Sequence, residues 1–501
     1  MKKVDFFICD TYNVFSEKKV FENRKQEWLN RRYTNAVVRH GLKFVKNNKG
    51  NGGTGIVGAN ANSTESLGHH AFNLDNNDAA KEKKFLAWRK DTVQQANKHD
   101  GKGYFLPTEL FVWGSTNNGW VFNRHPKETF WTGEINTSMQ HEYVKGIKQA
   151  VGEDNQAKDC VRELIFRFTN EGDLVWDMLG NIPFLEEICK EMKRGYVTTT
   201  EINVEENEDK TLTISFGDFE KEFAASDLDY GCEVPVFIED REVEVVVTET
   251  TTERNIINHE DVFEWLDKIA DKSIDLLLTD PPYNVSVKGA TTAFGNGRVG
   301  LDFGDWDFGF RTDLWAEKVA TKLKDESQSI IFNSFRNMET MADVFSSYGF
   351  EIVGLPYWIK SNPTPHLFDR VPVNAFEYTL WVRKGNPTFN ALGDSELQDA
   401  MLTQNGYVQE GRWLASQHED QKNRFHTTQK PASMFAKIID TLTTKESVIL
   451  ECFSGSGVTA TVCIAYDREF YATELDDTYW KLSTERIETQ KKTSKKTNIW
   501  V

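Results

Sequence analysis

The feature that most constrains the fold is an alternation of short apolar runs and amphipathic stretches, which begins near Asn255 and continues to about residue 487. Runs such as SIDLLLT, SIIFNS and SVILECF are too apolar to have one face in water, so they predict strands that are buried on both faces. Between them lie stretches with helical periodicity, including DVFEWLDKIADK and residues 432–442. Buried strands that alternate with helices predict an α/β fold with a mostly parallel sheet.

One of these strands ends in the tetrapeptide Asp280-Pro281-Pro282-Tyr283. In a parallel α/β sheet, ligands bind beyond the carboxyl ends of the strands. Consecutive prolines fix the backbone and leave carbonyl oxygens for which no proline amide hydrogen competes. A carboxylate and a proline carbonyl can together accept the hydrogens of an amino group, and a tyrosine ring can stack on a base. A simple turn is the alternative interpretation of Asp-Pro-Pro, but its place at a strand end favours a site.

A second motif, Phe453-Ser454-Gly455-Ser456-Gly457, joins the strand SVILEC to a helix. Glycines at such a turn allow close approach of the backbone to a ligand, and the helix N-terminus favours a carboxylate or a phosphate. The complete GxGxxG pattern of dinucleotide-binding proteins is absent. Glu474 ends the next strand, where an acid can hold the ribose hydroxyls of a bound nucleoside.

A third motif, His426-Thr427-Thr428-Gln429-Lys430-Pro431, lies between the other two. In this order the three resemble the DPPY, HPTQKP and FxGxG motifs of β-class DNA amino-methyltransferases, over residues 255 to about 487. The resemblance implies a Rossmann-like methyltransferase fold, with S-adenosylmethionine as methyl donor and DNA as partner. Asp280, where some members have serine, favours adenine N6 over cytosine N4. Thr427 departs from the usual proline, and residues 391–425 are the only obvious region for target recognition.

The resemblance also implies a role for individual residues. Asp280 and the Pro281 carbonyl would accept from the target amine beside Pro282, and Tyr283 would stack on a base flipped out of its helix. Methyl transfer needs positioning and electrostatics, so no metal ion is expected. The cofactor-binding residues that the resemblance implies are Asp261, Lys430, Pro431, Phe453, Gly455, Gly457 and Glu474.

The first half of the chain repeats the second half in degraded form. The matching segments, in the same order, are residues 4–14 with 274–285, 107–113 with 375–381, 171–184 with 445–458, and 198–202 with 471–475. The separation from Asp10 to Asp177 (177 − 10 = 167) is close to that from Asp280 to Glu451 (451 − 280 = 171). Chance similarity of strand patterns is the alternative.

The motifs themselves are lost in the first half. Both prolines after Asp10 are missing, and Asn181 and Pro183 stand in place of the two glycines. Proline supplies neither the free amide nor the conformational freedom of glycine, so no cofactor binding is expected there. The predicted regions are a degenerate methyltransferase-like domain (1–204), an acidic linker with a β-hairpin (205–253), a catalytic domain (254–489) and a basic tail (490–501).

The best candidate for a nucleic-acid surface is residues 18–49, which contain ten Lys or Arg against two Glu, with aromatic residues interleaved. Base stacking and phosphate contacts use such a combination, although a solvated charged face is the alternative. The residues predicted to contact nucleic acid are Lys25, Arg31, Arg32, Arg39, Lys43 and Lys46.

Composition and charge limit the classes of function and cellular location that the chain can have. The net charge of −18 opposes non-specific binding to nucleic acid by the chain as a whole, so a local basic patch is required. Six scattered cysteines without CxxC spacing, and the absence of a long apolar run, predict a reduced cytoplasmic protein. We expect a monomer that acts as an internal pseudo-dimer, or a homodimer. The alternative functions are RNA adenine-N6 methylation, DNA cytosine-N4 methylation, and non-catalytic nucleic-acid binding.

Overall fold

The fold is taken from a computed structural model of the chain. The residues that the structure describes are 4–10, 54–59, 82–89, 108–115, 121–126, 128, 131–137, 143–144, 147–148, 153–198, 203–207, 211–216, 219–223, 249–284, 307, 309–363, 375–390, 400–403, 406–409, 412–416, 424–426 and 428–492. No helix within these ranges is both long enough and apolar enough to cross a membrane.

The first half contains a seven-stranded sheet and two helices that pack on it. Its elements are β1 (Phe6–Cys9), β2 (Thr54–Ala59), β3 (Glu82–Arg89), β4 (Thr108–Ser115), β5 (Glu134–Asn136), a small pair β6 (Tyr143–Val144) and β7 (Ile147–Lys148), helix α1 (Glu153–Phe168), β8 (Leu174–Asp177), helix α2 (Leu185–Glu191) and β9 (Gly195–Thr198). The strand order is β5-β3-β4-β2-β1-β8-β9. Strands β2, β1, β8 and β9 run parallel to one another, whereas β4 is antiparallel to both β2 and β3.

The region of the predicted acidic linker, where we expected a β-hairpin or two, contains a three-stranded antiparallel sheet, which consists of two consecutive hairpins. Its strands are β10 (Asn203–Glu206), β11 (Leu212–Phe216) and β12 (Phe219–Phe223).

The second half is built on a nine-stranded sheet with helices on both faces. Its elements are β13 (Ile257–Asn258), α3 (Val262–Leu266), β14 (Ile274–Thr279), α4 (Thr312–Lys322), β15 (Leu323–Asn333), α5 (Phe335–Ser347), β16 (Glu351–Gly354), β17 (Tyr357–Lys360), β18 (Phe376–Lys384), the pair β19 (Ala400–Thr403) and β20 (Gly406–Gln409), β21 (Arg412–Ala415), α6 (Ala432–Leu442), β22 (Val448–Glu451), α7 (Val458–Ala465), β23 (Glu469–Thr473) and α8 (Asp477–Lys492). The order is β13-β23-β22-β14-β15-β18-β17-β21, and β16 pairs with β18.

This arrangement confirms the predicted α/β fold with a mostly parallel sheet. Strands β13, β23, β22, β14 and β15 are parallel, and β18 is antiparallel to β15 and β17. Two details differ from the sequence pattern. The run FEIVGLPYWI forms two strands, β16 and β17, and the helix expected over DVFEWLDKIADK is limited to the five residues of α3.

The burial of strand β14 explains why its apolar sequence pattern predicted a strand. Leu276 and Leu278 lie in one apolar cluster with residues of α6 and α7, and Ile274 and Leu277 lie in another with residues of α4 and α5. All four side chains are fully buried. Since burying such a side chain stabilises the fold by about 1.5–3 kcal/mol, a strand covered on both faces has to be apolar at almost every position.

The two halves have the same sheet topology. Strands β5-β3-β4-β2-β1-β8-β9 correspond in order and direction to β21-β17-β18-β15-β14-β22-β23. The pairing register also agrees: Phe7 lies opposite Trp176 as Leu277 lies opposite Leu450. The same register pairs Trp176 with Val197 and Leu450 with Tyr471. Val197 therefore corresponds to Tyr471, and the sequence match of segments 198–202 and 471–475 is shifted by one residue.

A side-chain network is repeated in the two halves as well. The guanidinium of Arg194 donates to the hydroxyl (3.0 Å) and the carbonyl (3.0 Å) of Thr169, which follows α1. Arg468 donates to the hydroxyl (2.9 Å) and the carbonyl (3.4 Å) of Thr443, which follows α6. The side-chain amides that donate to the same two carbonyls are those of Asn123 (2.8 Å) and Asn390 (3.0 Å).

Candidate active site

The end of β14 brings Asp280 into contact with two partners from different parts of the chain. The Tyr283 hydroxyl donates to Oδ1 of Asp280 at 2.7 Å. The ammonium of Lys430, which precedes α6, lies 2.5 Å from Oδ2 of Asp280 and is only 7% exposed. The predicted Asp-Pro-Pro-Tyr motif and the lysine of the HTTQKP motif therefore form one cluster.

The side chains of Asp307 and Asn337 hold the backbone after Asp280. Oδ1 of Asp307 accepts from the amides of Tyr283 (2.7 Å) and Asn284 (2.9 Å), and Asn284 has a positive φ of 54°. The side-chain amide of Asn337 donates to the Tyr283 carbonyl at 3.2 Å. Within the described part of the chain, nothing donates to the carbonyl oxygen of Pro281. Next to the Asp280 carboxylate there is thus a fixed carbonyl oxygen that accepts from none of the described residues.

Two further charged residues extend this cluster. Lys430 also contacts Oε2 of Glu377, on β18, at 3.2 Å. Oε1 of Glu377 contacts the ammonium of Lys360, at the end of β17, at 2.7 Å. The result is a row of four alternating charges in a mostly buried environment, where each charge needs a partner to offset its desolvation.

The environment shifts the pKa of each central group. Burial raises the pKa of Asp280, and the Lys430 ammonium opposes this effect only in part. Burial alone would raise the pKa of Glu377, but the ammonium groups of Lys430 and Lys360 lower it to about 2. Burial lowers the pKa of Lys430, but Asp280 and Glu377 together raise it above the usual value. Lys430 and Glu377 are therefore both charged at neutral pH.

The glycine turn after β22 needs glycine at both predicted positions. Gly455 and Gly457 have φ values of 49° and 70°. A Cβ at Gly455 would lie 3.3 Å from Nε2 of His426, and a Cβ at Gly457 would lie 3.0 Å from Cβ of Ser483. Side chains at these positions would be both strained and crowded.

Glu474 closes the turn from the neighbouring strand β23. Its carboxylate accepts from the amide of Gly455 at 2.7 Å and from that of Asp476 at 2.9 Å. Burial raises its pKa, and these amide hydrogen bonds oppose the rise. Each carboxylate oxygen retains a lone pair beyond the amide that it accepts, so further donors can bind there.

His426, the first residue of the HTTQKP motif, lies directly against this turn. Its ring contacts the ring of Tyr479, on α8, with the centroids 4.2 Å apart. Burial lowers the pKa of His426 to about 4, and the nearby charges of Lys430 and Arg424 add to this effect. The imidazole is therefore neutral at physiological pH and can act as a donor or an acceptor beside Gly455.

Glu451 links the Asp-Pro-Pro-Tyr motif to the glycine turn through its hydrogen bonds. It accepts from the hydroxyls of Thr279 (2.7 Å), on β14, and Thr459, on α7, and from the amide of Phe453 at 3.0 Å. Burial raises the pKa of Glu451 to about 8, although the two hydroxyls lower it. This residue ties the end of β22 to the end of β14.

The other predicted cofactor residues have structural contacts. Asp261 caps the N-terminus of α3 by accepting from the Phe263 amide at 2.9 Å. Pro431 is the N-cap residue of α6. Phe453 packs against Phe310, with ring centroids 5.3 Å apart. The basic residues predicted to contact nucleic acid lie outside the described residues, as does Thr427.

Sequence reasoning missed Glu377, Lys360, Glu451 and Asp307 as members of this cluster. One signal was available for Glu377, since it is the glutamate shared by the matching segments 107–113 and 375–381. Within the described part of the chain, no group of three or more His, Cys, Asp or Glu side chains has an arrangement that could hold a metal ion.

Comparison with known proteins agrees with this geometry. The family model described as DNA methylase matches residues 274–485. The Type II methyltransferase M2.DpnII of Streptococcus pneumoniae is 28% identical over 248 residues, which are 48% of this chain and 91% of that protein. The Type II methyltransferase M2.LlaDCHI of Lactococcus lactis subsp. cremoris is 29% identical over 244 residues, which are 47% of this chain and 90% of that protein.

Among solved structures, that of the M1.HpyAVI–SAM complex matches with 23% identity, a TM-score of 0.35, and coverage of 46% of this chain and 98% of the other. The sequence matches and the motif geometry agree on the same region, which contains the Asp-Pro-Pro-Tyr and glycine-turn motifs. The second half of this chain is therefore a DNA amino-methyltransferase domain.

Proposed function

We propose that residues 254–489 transfer a methyl group from S-adenosylmethionine to N6 of adenine in DNA. The observation that carries this proposal is the pair of acceptors at the end of β14, the Asp280 carboxylate and the adjacent Pro281 carbonyl, whose backbone is fixed by the contacts of Asp307 and Asn337. An exocyclic amino group has two hydrogens, and two fixed acceptors can hold both of them. The amine lone pair then points away from the acceptors, toward the side from which a methyl group has to approach.

The residues at the glycine turn fit S-adenosylmethionine. Gly455 and Gly457 add no side chains of their own to the turn, so its backbone can approach a ligand closely, and Glu474 has lone pairs available for ribose hydroxyls. The neutral His426 beside Gly455 adds a polar group for the amino-acid end of the cofactor. When bound, this cofactor supplies an electrophilic methyl group on a sulfonium.

The chain's own residues then account for orientation and charge. Asp280 and the Pro281 carbonyl accept from the amine, and Asp280 is the group positioned to hold the proton that the amine loses. The Tyr283 hydroxyl fixes the Asp280 carboxylate, so the Tyr283 ring stands beside the acceptor pair, where a flipped base would stack. The carboxylate before Pro-Pro-Tyr supports adenine as the base.

The experiment is transfer of labelled methyl from S-adenosylmethionine to unmodified duplex DNA, followed by digestion to nucleosides. We expect label in N6-methyladenosine with the wild-type protein and at least 100-fold less with Asp280→Ala, because general acid–base and acceptor groups contribute roughly 10²–10⁴-fold. Label in N4-methylcytosine would contradict the choice of base. Label in RNA but not in DNA would contradict the choice of polymer.

The proposal extends to the first half, which we infer to be a degenerate copy of the catalytic domain. The equal strand order and the repeated Arg-Thr-Asn network support this origin. Thr169 and Thr443 are 274 residues apart (443 − 169 = 274), and the same offset places Gln156 at the position of Lys430 and Pro183 at that of Gly457. The first half therefore lacks the cation and the glycine on which the second half depends, and the chain forms an internal pseudo-dimer with one active site.

The basic segment 18–49 gives this inactive copy a role in holding DNA. Replacing Arg31, Arg32 and Arg39 together by alanine would remove three phosphate contacts, so the affinity for DNA should fall and depend less on salt concentration. We expect KM for DNA to rise while KM for S-adenosylmethionine stays the same. Unchanged DNA affinity at low salt would mean that the segment is only a solvated face.

A further inference from the structure

Lys430 has to divide its charge between two acids. Its ammonium lies 2.5 Å from Asp280 and 3.2 Å from Glu377, and all three groups belong to different elements of the fold. Lys360 contacts Oε1 of Glu377 at 2.7 Å, whereas Lys430 contacts Oε2. The four residues form a linear series, Lys360, Glu377, Lys430 and Asp280, in which the two inner groups each have two partners.

We propose that Glu377 and Lys360 are positioning residues of the methyl-transfer site, which act on Asp280 through Lys430. Glu377 draws the ammonium partly away from Asp280, so that the Asp280 carboxylate remains a good acceptor for the target amine. Lys360 limits this effect because it offsets part of the Glu377 charge. This inference rests on the proposed function of Asp280.

The argument depends on competition for one cation. A buried ammonium with a single carboxylate partner forms the tightest pair and leaves that carboxylate least available to other donors. With a second carboxylate at similar distance, the attraction is shared. The described titratable groups that face Asp280 are Lys430 and Glu377, together with Tyr283 on its own loop and Glu451 at the end of β22.

The two outer residues should therefore have opposite effects on Asp280. Removing the charge of Glu377 eliminates a nearby negative group and makes Asp280 the only carboxylate partner of Lys430 among these four residues. Both changes lower the pKa of Asp280. Removing the charge of Lys360 leaves Glu377 free to attract Lys430 more strongly, which raises the pKa of Asp280. A purely structural role would lower stability in both variants and would produce no opposite shifts.

The test compares Glu377→Gln and Lys360→Met with the wild type in single-turnover methyl transfer to duplex DNA between about pH 5 and pH 9. Activity requires ionised Asp280, so the acid limb of the pH–rate profile follows the pKa of Asp280. We expect the limb to move by roughly one pH unit, downward in Glu377→Gln and upward in Lys360→Met. The plateau rate of Glu377→Gln should fall roughly 10-fold with KM for DNA unchanged, because the carboxylate is a weaker acceptor.

A matched control is Lys384→Met, which removes a partly exposed lysine from the far end of the same strand as Glu377. It should leave the acid limb in place. Shifts in the same direction in both test variants, or no shift at all, would overturn the inference.

A second readout does not depend on activity. The Asp280 carboxyl can be titrated in protein with ¹³C-labelled aspartate, with the signal assigned from Asp280→Asn. Opposite shifts in an inactive protein would uphold the role of Glu377 and Lys360 and would refute only the proposed function. An Asp280 titration that is the same in all three proteins would refute the positioning role whatever the activity.

Discussion

Replacing Lys430 by methionine is the sharpest perturbation of this site, because it leaves two buried carboxylates without their shared cation. The distances of 2.5 Å to Asp280 and 3.2 Å to Glu377 set the scale of the effect. At an effective dielectric constant of about 20, the two attractions amount to roughly 7 and 5 kcal/mol. Most of this is offset by the desolvation of the lysine, which the methionine avoids. Removing one partner of a buried pair typically costs about 3–5 kcal/mol, and we expect a loss of that size.

The pH dependence of this loss follows from Asp280. Its pKa in the folded protein is already raised by burial, and without Lys430 it rises further. A carboxyl whose folded pKa lies above its unfolded value contributes stability that is fully present below the unfolded pKa and is lost as the pH rises through the folded pKa. The stability lost in Lys430→Met should therefore be larger at about pH 8 than at about pH 4, where Asp280 becomes protonated.

The assay is urea-induced unfolding followed by tryptophan fluorescence at both pH values, with methyl transfer measured in parallel. The control is Lys445→Met, which removes a lysine that is 72% exposed and 4.0 Å from Asp467. Such a surface pair contributes about 0–1 kcal/mol. A loss in Lys430→Met no larger than in the control, or a loss that is equal at both pH values, would refute the argument that a buried ion pair holds Asp280.

Three other variants test separate parts of the site. Gly457→Ala should lower the melting temperature more than Gly309→Ala, because both glycines have φ near 70° but only a Cβ at Gly457 would lie 3.0 Å from Ser483 Cβ; equal decreases would show that the turn relaxes. Glu451→Gln should abolish a loss of wild-type stability between about pH 5 and pH 8, since a pKa raised from 4.5 to about 8 on folding means that the stability from this group is lost between these values; a wild type with constant stability over this range would contradict the pKa. Asp261→Asn preserves an N-cap for α3, so the melting temperature should not change. A raised KM for S-adenosylmethionine in this variant would support the predicted cofactor role. An unchanged KM would show that Asp261 acts only as the N-cap of α3.

The sequence pattern was most informative where burial is uniform. Strand β14 and its neighbours are covered on both faces, so their apolar runs could be recognised without knowing what covers them. Helix α6 was predicted with its observed bounds for a similar reason, because its apolar face repeats regularly. The predictions were less accurate where the chain turns within an apolar run, as between β16 and β17, since both segments are apolar and the break is a matter of local backbone geometry.

The site divides in the same way. Asp280, Tyr283, Gly455 and Gly457 were predicted because each belongs to a short motif whose function depends on neighbours in sequence, and Glu474 was predicted because it ends the strand that follows the glycine turn. The motifs also contain the residues that differ most clearly between the two halves, since glycine and proline act through their own backbone.

Only the tertiary structure decided which charges face Asp280. Lys360, Glu377 and Lys430 lie 80, 97 and 150 residues beyond it (360 − 280, 377 − 280 and 430 − 280), and no local pattern relates them. Lys360 and Glu377 come near Asp280 because the sheet order places β14, β15, β18 and β17 side by side, so that their ends form one edge, and Lys430 reaches this edge from the segment before α6. The residue types were fixed by the sequence, but their pKa values and partners depend on distances and burial that exist only in the folded chain.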